Sequence, residues 1–508
     1  METNNASLNR RKFIGGVTAA AAGISIVPRH VLGGNNYIAP SDKINIAYIG
    51  CGTQGLRELP ELLNIPEVQV TAVCDPQKEA IGYYDWDTTS LLNSLRETMG
   101  NPNWKPGGDN KIPGGLNVGK AVVDGYYNKS GGKSNCAAYA DFREMLEKEK
   151  DLDAVKIMAT DHLHGVIATA AMKHGKHISM HKPIANRLHE GFEVIERAKK
   201  SEVITHFIPW DTNGSMEQVM AWLNGGVIGQ LKEVHCWTNR PVWPQYSVLP
   251  TDKPALPKGF DWDLWLGPEA NRPYHPNYTN MVFRGWYDFG GGSMADMGHY
   301  SLWTVFKALQ LENPTLIEPT FSHVCRLKDN GTSYKIENDF AFPHASTMRF
   351  KYPEKNNRKA LDLIWYDGGM RPTVPDDFRA QNKELPEEGL MFMGEKGIIM
   401  SSEFFLREPY VLSGDIKLSE DLKLTESKKG EYENGIARFI EGLRNNNQIT
   451  GNIREAWPIT EAVNLYAVAL RSGKALKYDA SKRLITNVTD ANKYLTREYR
   501  KGWSLEEI

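Results

Sequence analysis

The feature that most limits how this chain can fold is IAYIGCGTQG, residues 46–55. A short apolar run rich in β-branched residues, as expected of a buried strand, leads into Gly50, Gly52 and Gly55, spaced G-x-G-x-x-G. Each glycine has a mechanical reading. Gly50 permits a tight turn, Gly52 lets the backbone approach a pyrophosphate, and Gly55 lets the following helix pack closely on the strand. The helix start, with Thr53 and Gln54 inside the turn, offers N–H groups and a positive dipole end to phosphate. Asp75 stands twenty residues beyond Gly55, at the end of the next expected strand, VQVTAVCD. Its carboxylate suits both hydroxyls of an adenosine ribose and repels a 2′-phosphate. NAD is therefore expected over NADP.

The rhythm around this motif supports a sheet that can carry it. KINIAYIG, VQVTAVCD, DAVKIMATD, KHISMHKP and VITHFIPW read as strands alternating with helical stretches. That alternation signals a doubly wound parallel sheet. The Pro- and Gly-rich segment 82–118 reads as an insertion with a helix near 88–99. After about residue 225 the strands lengthen and become antiparallel in type. A helix from about Ser293 to Leu311 interrupts them, and helices return at 431–444 and 458–471. The fold class expected is α/β: a Rossmann doubly wound parallel sheet plus an α+β domain with an open, mainly antiparallel sheet. The expected divisions are 1–40, 41–186 and 187–508.

Composition excludes some partners. Sixty Lys plus Arg against 62 Asp plus Glu leave no basic excess for nucleic acid. Five widely spaced cysteines, Cys51, Cys74, Cys136, Cys236 and Cys325, indicate neither a metal cluster nor a disulfide framework, and buried free thiols are expected. At the N-terminus, Arg10-Arg11 with Phe13 precedes a mildly apolar Ala- and Gly-rich stretch too short to span a bilayer. It resembles a twin-arginine export signal, so a periplasmic or otherwise exported protein is expected. No other stretch is apolar enough to span a membrane.

Two more strand ends should converge on the nucleotide crevice. MATDHLHG carries Thr160, Asp161, His162 and His164; SMHKPIAN carries His181, Lys182 and Pro183. An ammonium at Lys182 can hold a carbonyl oxygen as hydride leaves. His164 reads equally as a packed histidine. The third group is FGGGSMADMGHYSLW, residues 289–303. Ser293 and Asp296 fit a capping box. At about 100° per residue, Asp296, His299, Tyr300, Trp303 and Lys307 share one helix side. Met294, Gly298, Leu302, Val305 and Leu309 take the opposite, core-facing side. Hydride transfer to or from an alcohol needs a proton acceptor near the hydroxyl. His299 titrates near neutrality and is the easier base on that ground; Tyr300 serves if Lys182 lowers its pKa, and Asp296 can orient either.

The glycine fingerprint, Asp75, the HKP tripeptide and the GGGxxxDxGxx helix, in that order, resemble the Gfo/Idh/MocA oxidoreductase family from about Lys43 to the C-terminus. The tail TEAVNLYAVALRSGKALKYD resembles an exported bacterial branch of it. The resemblance implies NAD(P) in the cleft, with contacts from the glycine turn, Asp75, Thr160, His164, His181 and Lys182. It implies sugars, polyols or glycosides as substrates. The family's lysine falls on Lys182 and its aspartate on Asp296. Two positions depart: the glutamate before the lysine is His181, and the histidine four residues after the aspartate is Tyr300. One exported member also has tyrosine there and keeps its cofactor tightly bound, which makes Tyr300 a rival to His299 as base. Arg284 and Trp286 are further candidates for substrate contact. The expected activity is NAD-dependent oxidation or reduction of a sugar or glycoside. A redox-neutral NAD-dependent glycosidase or lyase is the second reading, and a non-catalytic sugar-binding protein the third. By analogy with the family, a homo-oligomer through the open sheet face is expected; no metal is.

Overall fold

INIAYI forms β1 (Ile44–Ile49), buried at all but one position, as a strand covered on both faces must be. It pairs in parallel with β2 (Val68–Cys74) and β4 (Ala154–Ile157), and β3 (Ala137–Tyr139), β5 (His177–Met180) and β6 (Thr205–His206) complete the sheet. The strand order is β3-β2-β1-β4-β5-β6, the doubly wound order expected. The winding reverses between β1 and β4, which opens a crevice at the carboxyl ends of those strands. α1 (Thr53–Leu63) follows the glycine turn and buries Leu56, Leu59, Leu62 and Leu63.

The computed structural model describes residues 38–79, 83, 85–106, 112–129, 131, 134–207, 213–424 and 435–508. The predicted export segment, Arg10 and Arg11 included, lies outside them. The chain divides into two units, Met1–Lys43 and Ile44–Ile508. The described part of the first carries one short 3-10 turn, Pro40–Asp42.

The insertion between β2 and β3 contributes α2 (Thr88–Met99), where a helix was expected, and α3 (Leu116–Lys129). Asp87 caps α2 by accepting from the Ser90 N–H at 3.0 Å. Leu91, Leu95, Val122 and Val123 join Tyr48, Leu59 and Val70 in one core cluster. α4 (His164–Lys173) and α5 (Leu188–Lys200) belong to the sheet's other layer.

The second sheet has nine strands: β7 (Leu231–Trp237), β8 (Leu316–Phe321), β11 (Ser346–Tyr352), β12 (Leu361–Asp367), β13 (Gly389–Gly394), β14 (Ile398–Ser401), β15 (Tyr410–Ser413), β16 (Leu476–Asp479) and β17 (Leu484–Ile485). A separate small hairpin is formed by β9 (Cys325–Leu327) and β10 (Ser333–Lys335). Every pairing in the large sheet is antiparallel except β7 with β12. α6 (His299–Leu309) and α8 (Ile453–Ser472) pack on one face through Leu302, Val305, Ile459 and Val463 against Phe350, Leu363 and Trp365. On the other face Arg349 bridges Glu233 at 3.0 Å and Asp362 at 2.5 Å. Between α6 and α8 in sequence, α7 (Gly435–Asn445) returns to the first sheet and adds Ile436, Phe439 and Ile440 to its core.

The helix expected from Ser293 to Leu311 is two segments. Met294–Gly298 is a π turn, and α6 begins only at His299. A π turn closes i→i+5 bonds, so each residue sweeps less than 100° and the side chains after it are rephased. Four of the cysteines are buried thiols as expected; Cys325 is exposed because it sits on the small outlying hairpin. Among the described residues no helix is long and apolar enough to cross a membrane, and no group of His, Cys, Asp and Glu could hold a metal.

Candidate active site

One cavity of about 480 Å³ runs from the glycine turn to the π turn. Gly50, Gly52, Thr53, Gln54, Gly55, Asp75, Thr160, His181, Lys182, Arg284, Asp296 and Tyr300 all line it. Strand ends of the first sheet thus meet the 3-10 helix of Arg284, the π turn and α6 where the winding of that sheet reverses.

The nucleotide half is built by close packing. Gly50 has φ +100°, and a Cβ there would lie 2.4 Å from the Met158 carbonyl. A Cβ on Gly55 would lie 2.3 Å from the Gly50 oxygen. Neither position admits a side chain. Gly52 is different: its nearest neighbour would be the Tyr83 ring at 3.5 Å, so a side chain there would simply enter the cavity. Gly52 is also the N-cap of α1 and provides no side-chain cap, which leaves the helix start to a ligand. Asp75 accepts from the Cys51 N–H and the Gln77 N–H, both at 2.8 Å, so it braces the turn it serves. Burial raises its carboxyl to about 6 against the lowering effect of those two donors. Thr160 brings a buried hydroxyl without a hydrogen-bond partner among the described residues. An open cradle, a helix N-terminus, a ribose-ready carboxylate and an unsatisfied hydroxyl fit a dinucleotide.

The reaction half is a cluster of charges. Lys182 Nζ lies 2.8 Å from Asp296 Oδ1, and the side chains of Arg284 and Arg240 each approach the same carboxylate at 3.4 Å. Arg284 also pairs with Asp161 at 3.2 Å, and Asp161 accepts from the Gly291 N–H at 3.1 Å. The glycine run is thereby fastened to the end of β4. Burial pushes the Asp296 carboxyl up, but Lys182, Arg284 and Arg240 outweigh it and hold the group well below the usual range. Burial lowers Lys182, Asp296 pulls it back and Arg284 opposes, leaving it at about 8. Tyr300 Oη is 2.6 Å from His181 Nε2, and its ring faces Lys182 Nζ at 4.9 Å. Burial raises the phenol well above its usual value, with Glu58 and Asp296 adding to the effect.

Several sequence expectations are redrawn. His299 does not line the cavity. It is fully buried, with Nε2 3.0 Å from Thr460 Oγ1 and the Phe207 ring against its own. The π turn separates it from Asp296 and Tyr300, whose side chains do reach the cavity. Ser293 makes no capping hydrogen bond, and Asp296 is engaged by cations instead of closing a capping box. Trp303, placed on the polar side by the 100° rule, is buried. His164 is also packed away, its ring nitrogens set against the Pro183 and Ala159 carbonyls at 2.5 and 2.9 Å. Trp286 is buried in an aromatic cluster with Tyr246 and Tyr278, its indole N–H donating to the Asn277 carbonyl. Arg240 and Glu58 also belong to the site. Arg240 carried no sequence signal. Glu58 had a faint one: Gln54, Glu58 and Glu61 make a polar stripe on a helix that packs on a sheet.

Residues 127–208 match the NAD-binding Rossmann fold of the Gfo/Idh/MocA oxidoreductase family, and residues 223–318 and 418–505 match that family's C-terminal alpha/beta domain. Together these matches take in just over half of the chain. The chain belongs to the Gfo/Idh/MocA oxidoreductase family. The Rossmann match begins within α3, so the glycine turn lies outside it. A glycosyl hydrolase family 109 protein of Saccharopolyspora erythraea is 23% identical over 194 residues, 37% of this chain and 34% of that protein. An alpha-N-acetylgalactosaminidase of Bacteroides fragilis is 24% identical over 172 residues, 34% of this chain and 31% of that protein. The matched stretch thus spans about a third of the length of these relatives. In structure, the WlbA dehydrogenase of Chromobacterium violaceum, solved with NADH and UDP-GlcNAcA, superposes with a TM-score of 0.52 at 14% identity, covering 86% of this chain and 97% of that one. That likeness speaks to the fold.

Proposed function

We propose that this member of the family is an NAD-dependent enzyme that moves hydride between nicotinamide and a hydroxyl-bearing ring carbon of a sugar or glycoside. The observation that carries the reading is that Lys182, Asp296 and Tyr300 line the same cavity as the glycine turn and Asp75. Bound with its pyrophosphate at Gly52 and its ribose at Asp75, the cofactor would supply the hydride acceptor. Lys182 then holds the substrate oxygen, where its positive charge favours the alkoxide-like oxygen of the transition state. Asp296 positions the Lys182 ammonium, and Arg284 and Arg240 keep Asp296 ionised. Tyr300 handles the hydroxyl proton. The single carboxylate at Asp75 favours NAD over NADP, and the paired arginines near the N-terminus support export.

A second reading has its own support. The relatives named above are a glycosyl hydrolase family 109 protein and an alpha-N-acetylgalactosaminidase. The same groups would serve a glycosidase that oxidises the sugar transiently, expels the aglycone and returns the hydride. The deciding experiment incubates the protein and NAD with a panel of methyl and nitrophenyl glycosides. Accumulating reduced nicotinamide supports the dehydrogenase. Nitrophenol release without net reduction supports the glycosidase. A protein that binds no nicotinamide would remove both readings.

A further inference from the structure

The two positions that depart from the family pattern, His181 and Tyr300, touch each other, and a third residue stands against the contact. His181 Nε2, 2.6 Å from Tyr300 Oη, is also 3.3 Å from Glu58 Oε1. Glu58 sits on α1, the helix opened by the glycine turn. Its Oε2 is 2.9 Å from Lys156 Nζ on β4, and its Oε1 accepts from Gln54 Nε2 at 3.1 Å. His181 and Lys156 are both buried. α1, β4, the end of β5 and α6 thus all send polar side chains to one cluster at the cavity wall. Buried polar groups are costly unless they satisfy one another, so a chain of three in contact is a built arrangement.

The contact solves a chemical difficulty. A buried phenol stays protonated, and Glu58 and Asp296 beside it strengthen that tendency. It can take a substrate proton only by giving up its own. The neighbouring imidazole can receive it. Burial, then Lys182, Lys156 and Arg284, with His164 adding to the effect, keep His181 neutral at rest and oppose its protonation, so its role as acceptor depends on Glu58 Oε1, 3.3 Å from Nε2. A neutral ring whose Nε2 accepts from the phenol carries its own proton on Nδ1.

We propose that Tyr300, His181 and Glu58 form a proton relay, with His181 the terminal acceptor and Glu58 the positioning residue that stabilises it. The relay rests on the hydride-transfer reading above. In the oxidation direction, the C–H electron pair of the substrate leaves as hydride to the oxidised nicotinamide. The O–H pair becomes the second bond of the carbonyl, and the released proton goes to Tyr300 Oη. The proton that Tyr300 held passes to His181 Nε2. The imidazolium so formed faces the Glu58 carboxylate, which Lys156 and Gln54 hold in place, and it releases its proton to solvent after turnover. Reduction runs the same transfers backwards.

The test uses the full chain with NAD and the glycoside that wild type oxidises fastest. For Glu58→Gln, the single-turnover rate at neutral pH is expected to fall about 100-fold, in the range of general-base contributions. Glu58→Asp should recover part of that loss, and NAD affinity read by protein fluorescence should stay within about twofold. The rate of the Gln variant should climb with pH where wild type is flat, because hydroxide substitutes for the lost acceptor. A Gln variant with wild-type rate and pH profile overturns the relay. A second readout needs no turnover. Nitrogen-15 NMR of labelled histidine in the NAD complex should show His181 Nε2 unprotonated from about pH 6 to about pH 9, with a resonance that moves in Tyr300→Phe. A protonated Nε2, or one indifferent to Tyr300→Phe, also overturns it. If wild type reduces nicotinamide with no glycoside, the functional reading falls; if wild type turns over and Glu58→Gln matches it, the relay alone falls.

Discussion

Lys182 Nζ and Asp296 Oδ1 meet at 2.8 Å, one at the end of a parallel strand and the other in a π turn 114 residues later. Asp296 carries two further cations, Arg284 and Arg240, so Lys182 can be removed without leaving that carboxylate unpaired. Lys182→Ala should therefore fold and bind NAD while losing hydride transfer by about 100- to 10,000-fold. Single-turnover reduction of nicotinamide and fluorescence titration with NAD check the two halves of this expectation. Wild-type turnover in the variant would refute the role given to Lys182.

Asp296→Asn tests the same pair from its other side. Asp296 raises Lys182 against burial and Arg284, which lower it. Without the carboxylate, Lys182 loses its proton at a lower pH than about 8. The alkaline limb of the pH–rate profile should move toward neutrality. An unmoved limb would mean that Lys182 does not govern it.

NAD affinity should weaken as pH falls through about 6, where Asp75 takes up its proton. The ribose needs the carboxylate form, so the loss should approach about tenfold per pH unit below that point. Calorimetric titrations at about pH 5 and about pH 7.5 would show it. Asp75→Ala should flatten the dependence and narrow the preference for NAD over NADP.

His299 and Tyr300 should part company under mutation. His299→Gln disturbs a buried hydrogen bond and should lower stability by about 1–3 kcal/mol while the single-turnover rate holds. Tyr300→Phe should instead lower the single-turnover rate. Burial lowers His299 to about 3, so between about 3 and its unfolded value of 6.5 the unfolded chain binds the extra proton. Stability from this site is present above 6.5 and is lost as pH falls toward 3. Denaturant melts of wild type and His299→Gln across that window should converge at the acid end.

The C-terminal tail is held by a buried cation. Arg497 Nη1 is 2.7 Å from Glu269 and Nη2 is 2.5 Å from Glu190, all three nearly inaccessible. Arg497→Met leaves two buried carboxylates to Arg187 and should cost about 3–5 kcal/mol, measurable by chemical denaturation. A loss below about 1 kcal/mol would show the network to be replaceable by packing alone.

Much of the nucleotide half was legible because its rules are local. Gly50 needs a positive φ, Gly55 needs a missing Cβ, and Asp75 follows at a spacing set by one helix and one strand. The reaction half was legible in part. Lys182 and Asp296 stood out by residue type and by resemblance, whereas Trp286 and His164 looked equally available and are packed away. Arg240 was silent and Glu58 nearly so because their partners come from distant segments, and no spacing rule connects a residue on α1 with one on α6.

The sequence by itself determined the doubly wound sheet, the glycine turn and the identity of the charged groups, since these follow from periodicity and from what each side chain can do. Only the tertiary structure decided which of the adjacent His299 and Tyr300 reaches the cavity. A uniform helix would have kept both near Asp296. The π turn at Met294–Gly298 advances the backbone by less than a regular step per residue, and packing against Thr460 and Phe207 claims His299 for the core. Tyr300 is left to meet His181.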